Sequence, residues 1–164
     1  MVHVAIWIGI FGAASLFFAA SMTTTTKDLG APLKPGQRDR CPMCGMFVQP
    51  FPQWVAQVRL GDGSVVFFDG CKDLFKYLLS FERQVDEGKP KSITSIFVTN
   101  YYDGEIIAAR TAHFVIGSDV MGPMGSELVP HRTLAAAHDF LHDHFGLETL
   151  RFDEINENTL RAME

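Results

Sequence analysis

Apolar and polar residues alternate along the chain from residue 53 onwards, and this pattern predicts a strand over Gln53 to Leu60. The turn sequence Gly61-Asp62-Gly63 separates it from a second apolar run, Ser64 to Phe68, so the two predict a β-hairpin. After Asp69-Gly70 the apolar spacing becomes that of a helix. The buried stripe of this predicted helix consists of Cys71, Leu74, Phe75, Leu78 and Leu79.

A second series of elements follows Gly88-Lys89-Pro90 in the same order. The pattern predicts, in turn, strands over Ile93 to Thr99, Glu105 to Ala109 and Ala112 to Ile116, a helix over Leu134 to Phe145, a strand over Leu147 to Phe152 and a helix over Glu154 to Met163. Each predicted hairpin is followed by a helix that it can cover. The expected fold class is therefore α+β, built from duplicated β-hairpin-plus-helix halves at about residues 40–90 and 91–152.

The N-terminal segment differs from the rest, because Val2 to Ala20 contains only one strongly polar side chain, His3. Nineteen residues of helix span about 28 Å, close to the hydrocarbon thickness of a bilayer. Residues 1–21 are thus expected to form an uncleaved membrane anchor or a cleaved signal segment. The length of the apolar run and the absence of Lys and Arg before Lys27 favour the anchor.

A linker is expected at residues 22–39, which contain Thr, Gly and Pro but no apolar period. The folded domain is then expected to begin near Arg40 and to include residues 40–164. With a hydrophobic segment in front of it, this domain is expected to be membrane-anchored or secreted, on the periplasmic or another extracytoplasmic side.

Charge and cysteine content exclude two classes of protein. The chain has 14 Lys and Arg against 19 Asp and Glu, a net charge of −5, so it has no broad basic surface for nucleic acid. Its three cysteines cannot all pair within one chain, which excludes a scaffold held together mainly by disulfides.

The densest chemical signal is the segment Arg40-Cys41-Pro42-Met43-Cys44-Gly45-Met46. Four of the seven methionines lie in two short loops beside Gly and Pro: Met43, Met46, Met121 and Met124. Methionines in such loops have less to pack against than methionines on helix or strand faces. Thiolates and thioethers are soft ligands that select Cu(I). The segment is therefore a candidate copper site.

Three interpretations of the Cys-x-x-Cys pair remain open. It could be half of a zinc site, although the sequence holds only one further cysteine for a second half. It could be a thiol–disulfide pair, although no strand precedes it and no helix follows it directly. It could be a soft-metal site of Cys44 and Met46, whose side chains share a face if the backbone is extended, with Met124 as the third ligand.

Two further residues are weaker candidates. Cys71 falls in the first turn of the predicted helix, where it is either a small buried residue or an additional metal-holding or redox thiol. His131 follows the loop that contains Met124 and is a candidate copper ligand. His138 and His142 share a helical face, but a solvated helix explains them better than a zinc site.

These motifs, in order, resemble the NosL family: Cys-Pro-Met-Cys-Gly-Met-Phe-Val, then Phe-Asp-Gly-Cys opening a helix, then Pro-Met-Gly after the second hairpin. The resemblance runs from about Arg40 to Phe152. It implies a copper chaperone that supplies nitrous oxide reductase in the periplasm, with a membrane copper transporter as a further expected partner. It also implies paired β-hairpin-plus-helix domains similar to organomercurial lyase, and Cu(I) binding by Cys44 and Met46. The Pro-Met-Gly methionine falls on Met124. Many members carry an acylated N-terminal cysteine, which this chain lacks.

The sequence therefore predicts an extracytoplasmic Cu(I) metallochaperone, not an enzyme, with Cys44, Met46, Met124 and Cys41 as the expected ligands. One alternative is a thiol enzyme, either a disulfide reductase or a lyase that would use Cys44, Cys71 and Asp69. Another is an interaction module stabilised by zinc.

Overall fold

The computed structural model describes residues 30–85 and 92–164 of the chain. The predicted anchor or signal segment lies outside these residues. Among the described residues, none of the helices combines the length and the apolar character needed to cross a bilayer. The elements run in the order β1 (Ala56–Leu60), β2 (Val65–Phe68), α1 (Cys71–Val85), β3 (Ile93–Thr99), β4 (Ile106–Ala108), β5 (His113–Ile116), β6 (Met121–Gly122), β7 (Gly125–Ser126), β8 (Val129–His131), α2 (Leu134–Asp143), β9 (Glu148–Arg151) and α3 (Glu157–Arg161).

The first sheet is antiparallel and has the strand order β2-β1-β3-β4. The predicted hairpin of β1 and β2 is confirmed, and Phe68 pairs with Ala56 in its register. The predicted strand at 53–60 begins later than expected, because Pro52–Trp54 forms a short 3-10 helix with proline in its first turn. Helix α1 packs against β1 and β2.

The second sheet has the order β8-β5-β9 and is covered by α2. A separate two-stranded ladder, β6 and β7, lies in the loop before β8 and pairs Met121 with Ser126. Helix α2 begins at Leu134 after Thr133, whose side chain accepts a hydrogen bond from the Ala136 amide. The helix ends two residues before the predicted Phe145.

The α+β class is confirmed, but the sheets do not divide as the predicted duplication requires. The hairpin expected to open the second half, β3 and β4, extends the first sheet, because every residue of β1 pairs with a residue of β3. Ile96, Phe97 and Val98 of β3 are consecutive buried residues, as in an interior strand that is covered on both faces. The boundary near residue 90 therefore falls inside a sheet rather than between two sheets.

One large core joins the two sheets. Phe75 of α1 meets Phe114 of β5 edge to face, with ring centroids 5.3 Å apart. A smaller core lies under α2, around Phe140, Val115 and Val129.

The last part of the predicted linker lies along β1. The Leu33 amide donates to Gln57 Oε1, and Gln57 Nε2 donates to the Leu33 carbonyl, both at 2.9 Å. These bonds satisfy Gln57, which is buried although the alternation placed it on the polar face of the strand.

Candidate metal centre

The segment that carries the two cysteines forms a tight loop over residues 40–47. Arg40 and Phe47 form an isolated β-bridge, and the Arg40 guanidinium lies 3.6 Å from the centre of the Phe47 ring. Within the loop, the Cys41 amide donates to the Met46 carbonyl and the Gly45 amide donates to the Cys41 carbonyl, both at 2.9 Å. The loop thereby fixes the backbone on both sides of Cys44.

Gly45 corrects one expectation about this loop. The sequence interpretation placed Cys44 and Met46 on one face of an extended backbone. In the structure Gly45 has φ +80°, a left-handed conformation that glycine adopts without strain. The two residues are therefore displayed by a turn, and glycine is required between them for that reason.

Two aspartates complete the site. Asp69 lies two residues before the start of α1, and Asp73 lies in its first turn. The Cys41 thiol donates to Asp73 Oδ2 at 3.2 Å, and the Cys44 thiol donates to Asp69 Oδ1 at 3.3 Å. One ligand atom from each of these four residues lies within 4.8 Å of the other three. We call Cys41, Cys44, Asp69 and Asp73 the thiol–carboxylate cluster.

The cluster is closed on one side and open on the other. Cys41 is only 1% exposed and both aspartates are buried, whereas Cys44 is partly exposed. Burial raises the pKa of Cys44 to about 11 and raises that of Cys41 further, although backbone amides of the loop oppose both shifts. Both thiols are therefore protonated near neutral pH and hydrogen-bonded to carboxylates, and a metal that binds them must displace their protons.

Sulfur and carboxylate donors make different contributions. The paired thiols suit a soft ion such as Cu(I), while the carboxylates suit a harder divalent ion or act as acceptors for the thiol protons. In the part of the chain that the structure describes, no other group of three or more His, Cys, Asp and Glu side chains comes close enough to hold a metal ion.

The two predicted thioether ligands differ in exposure and in the element that carries them. Met46 is half-buried at the end of the loop. Met124 lies in the two-residue turn between β6 and β7 with its side chain 45% exposed. Its carbonyl accepts a hydrogen bond of 2.9 Å from Lys72 Nζ, on the first turn of α1. The β6–β7 hairpin is thereby attached to the same helical turn that carries Asp73.

The two weaker candidates are not part of the cluster. Cys71 is buried among the core residues of α1, and burial raises the pKa of its thiol well above the usual range. His131 is fully buried in the second sheet, and its ring lies 4.7 Å from that of Phe140. Neither belongs to the group of four. The packing interpretation of Cys71 fits this position better than the metal or redox one.

The lyase arrangement of Cys44, Cys71 and Asp69 is met only in part, because Cys44 reaches Asp69 while Cys71 faces the core. Asp73 was missed by the sequence interpretation, although one signal was present. Asp69 and Asp73 are four residues apart, the spacing that places two side chains on one face of a helix.

Comparison with known proteins supports the resemblance drawn from the motifs. The sequence model of the NosL family matches residues 32–160. The crystal structure of the copper chaperone NosL from Shewanella denitrificans is 27% identical with a TM-score of 0.66, and the match covers 79% of this chain and 98% of that chain. The solution structure of the apo-NosL protein from Achromobacter cycloclastes is 26% identical with a TM-score of 0.45, covering 64% of this chain and 87% of that chain. No curated protein matches the sequence. Since the family model covers most of the chain, the chain belongs to the NosL family.

Proposed function

We propose that this protein is a Cu(I) chaperone, which binds one copper ion at the loop of residues 40–47 and passes it to a copper enzyme by ligand exchange. The observation that carries the proposal is the thiol–carboxylate cluster, in which two thiols from one loop meet two buried carboxylates at a half-open site. Family membership supports it, because NosL proteins are copper chaperones and not enzymes.

The sulfur atoms account for the choice of metal. Cys44, Cys41 and Met46 offer thiolate and thioether ligands within one loop, and Met124 offers a fourth sulfur from the β6–β7 hairpin. Carboxylates bind Cu(I) poorly, so Asp69 and Asp73 act here on the thiol protons. When copper binds, an S–H bond breaks, an S–Cu bond forms and the proton leaves to solvent. The copper stays Cu(I) throughout.

The unequal exposure of the sulfur ligands accounts for the release of copper to the acceptor. Cys41 lies inside the protein, whereas Cys44 and Met46 are partly exposed and Met124 lies at the surface. A ligand of the acceptor can therefore bind copper from the Met124 side before the bond to Cys44 breaks. The ion then moves without passing through a free state, and Cys44 regains a proton beside Asp69.

The acceptor we propose is nitrous oxide reductase, with a membrane copper transporter as a second partner. We also propose that the protein works on the extracytoplasmic side of a membrane, held there by the apolar segment of residues 2–20. These proposals rest on the family resemblance and on the apolar sequence. The zinc and thiol-enzyme alternatives from the sequence are outcomes of the test below.

The test is an anaerobic competition titration of the full chain in detergent, with a chromogenic Cu(I) chelator and with Zn(II) in parallel. We expect one tightly bound Cu(I) per chain, and transfer of that copper to apo nitrous oxide reductase when the two proteins are mixed. Tighter binding of Zn(II), with loss of fold on chelation, would instead support the zinc module. A reversible Cys41–Cys44 disulfide without metal preference would support the thiol enzyme.

A further inference from the structure

A buried carboxylate, Glu127, connects the hairpin that carries Met124 to the start of α1. Glu127 directly follows β7 and is 3% exposed. Its Oε1 atom accepts hydrogen bonds from the Lys72 amide at 2.5 Å and from the Leu128 amide at 2.9 Å. The amides of the first helical turn have no partner within their own helix, so a carboxylate brought from elsewhere in the chain satisfies one of them.

Two glycines make room for this carboxylate. A Cβ atom on Gly70 would lie 2.0 Å from Glu127 Oε2, and a Cβ atom on Gly122 would lie 3.0 Å from the same oxygen. Neither glycine has a positive φ, so both are required for space rather than for backbone conformation. Gly70 belongs to the helix start and Gly122 to β6. The site for Glu127 is thus built from both sides.

Lys72 provides a second connection between the same two elements. Its side chain is buried, and Nζ donates to the Met124 carbonyl at 2.9 Å while its amide donates to Glu127. Burying a carboxylate and an ammonium group is costly unless both are hydrogen-bonded. The same helical turn carries Asp73, which accepts the hydrogen bond of Cys41. The first turn of α1 is therefore a common platform for the thiol loop and for the Met124 hairpin.

We propose that Glu127, together with Lys72, is a positioning residue that holds Met124 beside the thiol–carboxylate cluster, so that its thioether can bind the copper carried by the thiols. The inference rests on the proposed function and adds to it a residue that touches no metal. Glu127 fixes the base of the hairpin, and Lys72 fixes its turn.

The test is a double-mutant cycle on the full chain with Cu(I) as the probe. Partners outside the coordination sphere change metal affinity by about ten- to a hundredfold. We expect Glu127→Ala to weaken Cu(I) binding by a factor in that range when Met124 is present, and to have no further effect in a Met124→Leu background. Glu127→Gln keeps the accepting oxygen and should restore most of the affinity. Glu105→Ala, which removes an exposed carboxylate that pairs with Arg132, is the matched control.

Because Glu127→Ala could unfold the protein, a smaller change provides a second test. Gly122→Ala adds a methyl group against Glu127 and should lower both Cu(I) affinity and the number of sulfur ligands seen by X-ray absorption at the copper edge. Gly36→Ala, whose Cβ would meet only Asp39 Oδ2 at 3.5 Å, should change neither.

Three results would overturn the inference while the wild-type protein still binds Cu(I). These are an unchanged affinity in Glu127→Ala, an equal loss with and without Met124, and an unchanged affinity in Met124→Leu. Absence of Cu(I) binding by the wild-type protein would instead contradict the proposed function, so the two failures are distinguishable.

Discussion

The thiol–carboxylate cluster and the second sheet both bury titratable side chains, and the surroundings of these side chains differ. In the thiol–carboxylate cluster, the Cys41 and Cys44 thiols each donate to a carboxylate. In the second sheet, the His131 ring contacts those of Tyr101, Tyr102 and Phe140. The His144 ring packs on Tyr101 and Phe140, and we call these five residues the histidine–aromatic cluster. Among the described residues, neither ring nitrogen of His131 has a hydrogen-bond partner.

The difference separates a binding site from a packing element. The protons on the Cys41 and Cys44 thiols are held by carboxylate acceptors and can be exchanged for a metal ion. Protonating His131 would place a charge among aromatic rings with no acceptor, and burial and the neighbouring His144 and His113 lower its pKa to about 4. His131 is therefore built to stay neutral, and its ring packs among aromatic rings outside the group of four residues that could hold a metal ion.

The largest effect on Cu(I) binding should come from substituting the two thiols of the thiol–carboxylate cluster one at a time. Cys44→Ser should abolish tight Cu(I) binding, because it removes the accessible thiolate next to Met46. Cys41→Ser should weaken binding only in part, by about tenfold, a change worth about 1.4 kcal/mol. Competition against a Cu(I) chelator measures both. Equal and complete loss from both substitutions would mean that the thiols act as an equal pair, as in a zinc or redox site.

Acidification should destabilise the protein through the histidine–aromatic cluster. His131 has a pKa of about 4 in the folded chain against an ordinary value of 6.5, so its unfolded form takes up the proton first. The stabilisation that neutral His131 gives the folded state is fully present above pH 6.5. It is lost as the pH falls towards 4, where the free energy of unfolding has decreased by about 3 kcal/mol. Chemical denaturation of the apo protein from pH 7 to pH 4 measures it as the difference between the wild-type protein and a His131 variant, because buried Glu127, whose pKa is raised to about 7, shifts stability the other way.

Variants assign that loss to one residue. In His131→Phe this loss should be absent, whereas His138→Gln, on the exposed face of α2, should leave it intact. If His131→Phe instead abolished Cu(I) binding in a folded protein, the contrast between the two regions would be wrong.

Met124 should affect the copper-bound protein and leave the apo protein nearly unchanged. Cu(I) at a thousandfold its dissociation constant stabilises the folded state by about 4 kcal/mol, which raises Tm. Met124→Ala should reduce this gain by about 1.4 kcal/mol for each tenfold loss of affinity. Its exposed side chain has little packing to lose. Thermal denaturation with and without Cu(I) gives both values. An apo protein destabilised by about 2 kcal/mol or more, with an intact copper shift, would make Met124 a packing residue.

The smallest effect on folding should come from Met46→Leu. The two side chains are similar in volume and Met46 is only half-buried, so the free energy of unfolding should fall by less than about 1.5 kcal/mol. Cu(I) affinity should still fall, because leucine offers no sulfur ligand. Equal Cu(I) affinities for the variant and the wild-type protein would remove Met46 from the site.

Local patterns predicted the elements of the fold better than their arrangement. β3 has the predicted bounds, Ile93–Thr99, and the hairpin before α1 forms as expected. The pairing of β3 with β1 was missed, because it joins segments more than thirty residues apart and no local signal encodes it. The consecutive buried residues of β3 could have indicated an interior strand, since a hairpin with one wet face would alternate.

The site was predictable only where its residues are neighbours in sequence. The thiols were identified from one short motif. Asp73, in contrast, is 32 residues along the chain from Cys41, whose thiol donates a hydrogen bond to it. Cys71 and His131 were named as candidate ligands although they are buried in the core. A small residue on a helix stripe and a histidine beside a glycine-rich loop have the same sequence pattern as core residues and as ligands. Burial in the folded chain is what separates the two.

Long-range contacts also determine when the metal site exists. The hydrogen bonds around the first turn of α1 join residues 25, 32 and 55 positions apart, and the closure of such loops is a late and entropically costly event in folding. An unfolded chain offers copper only the short Cys-x-x-Cys-Gly-Met segment. The carboxylates and the Met124 hairpin join that segment once both sheets have assembled, so the complete coordination environment is a property of the native topology and appears with it.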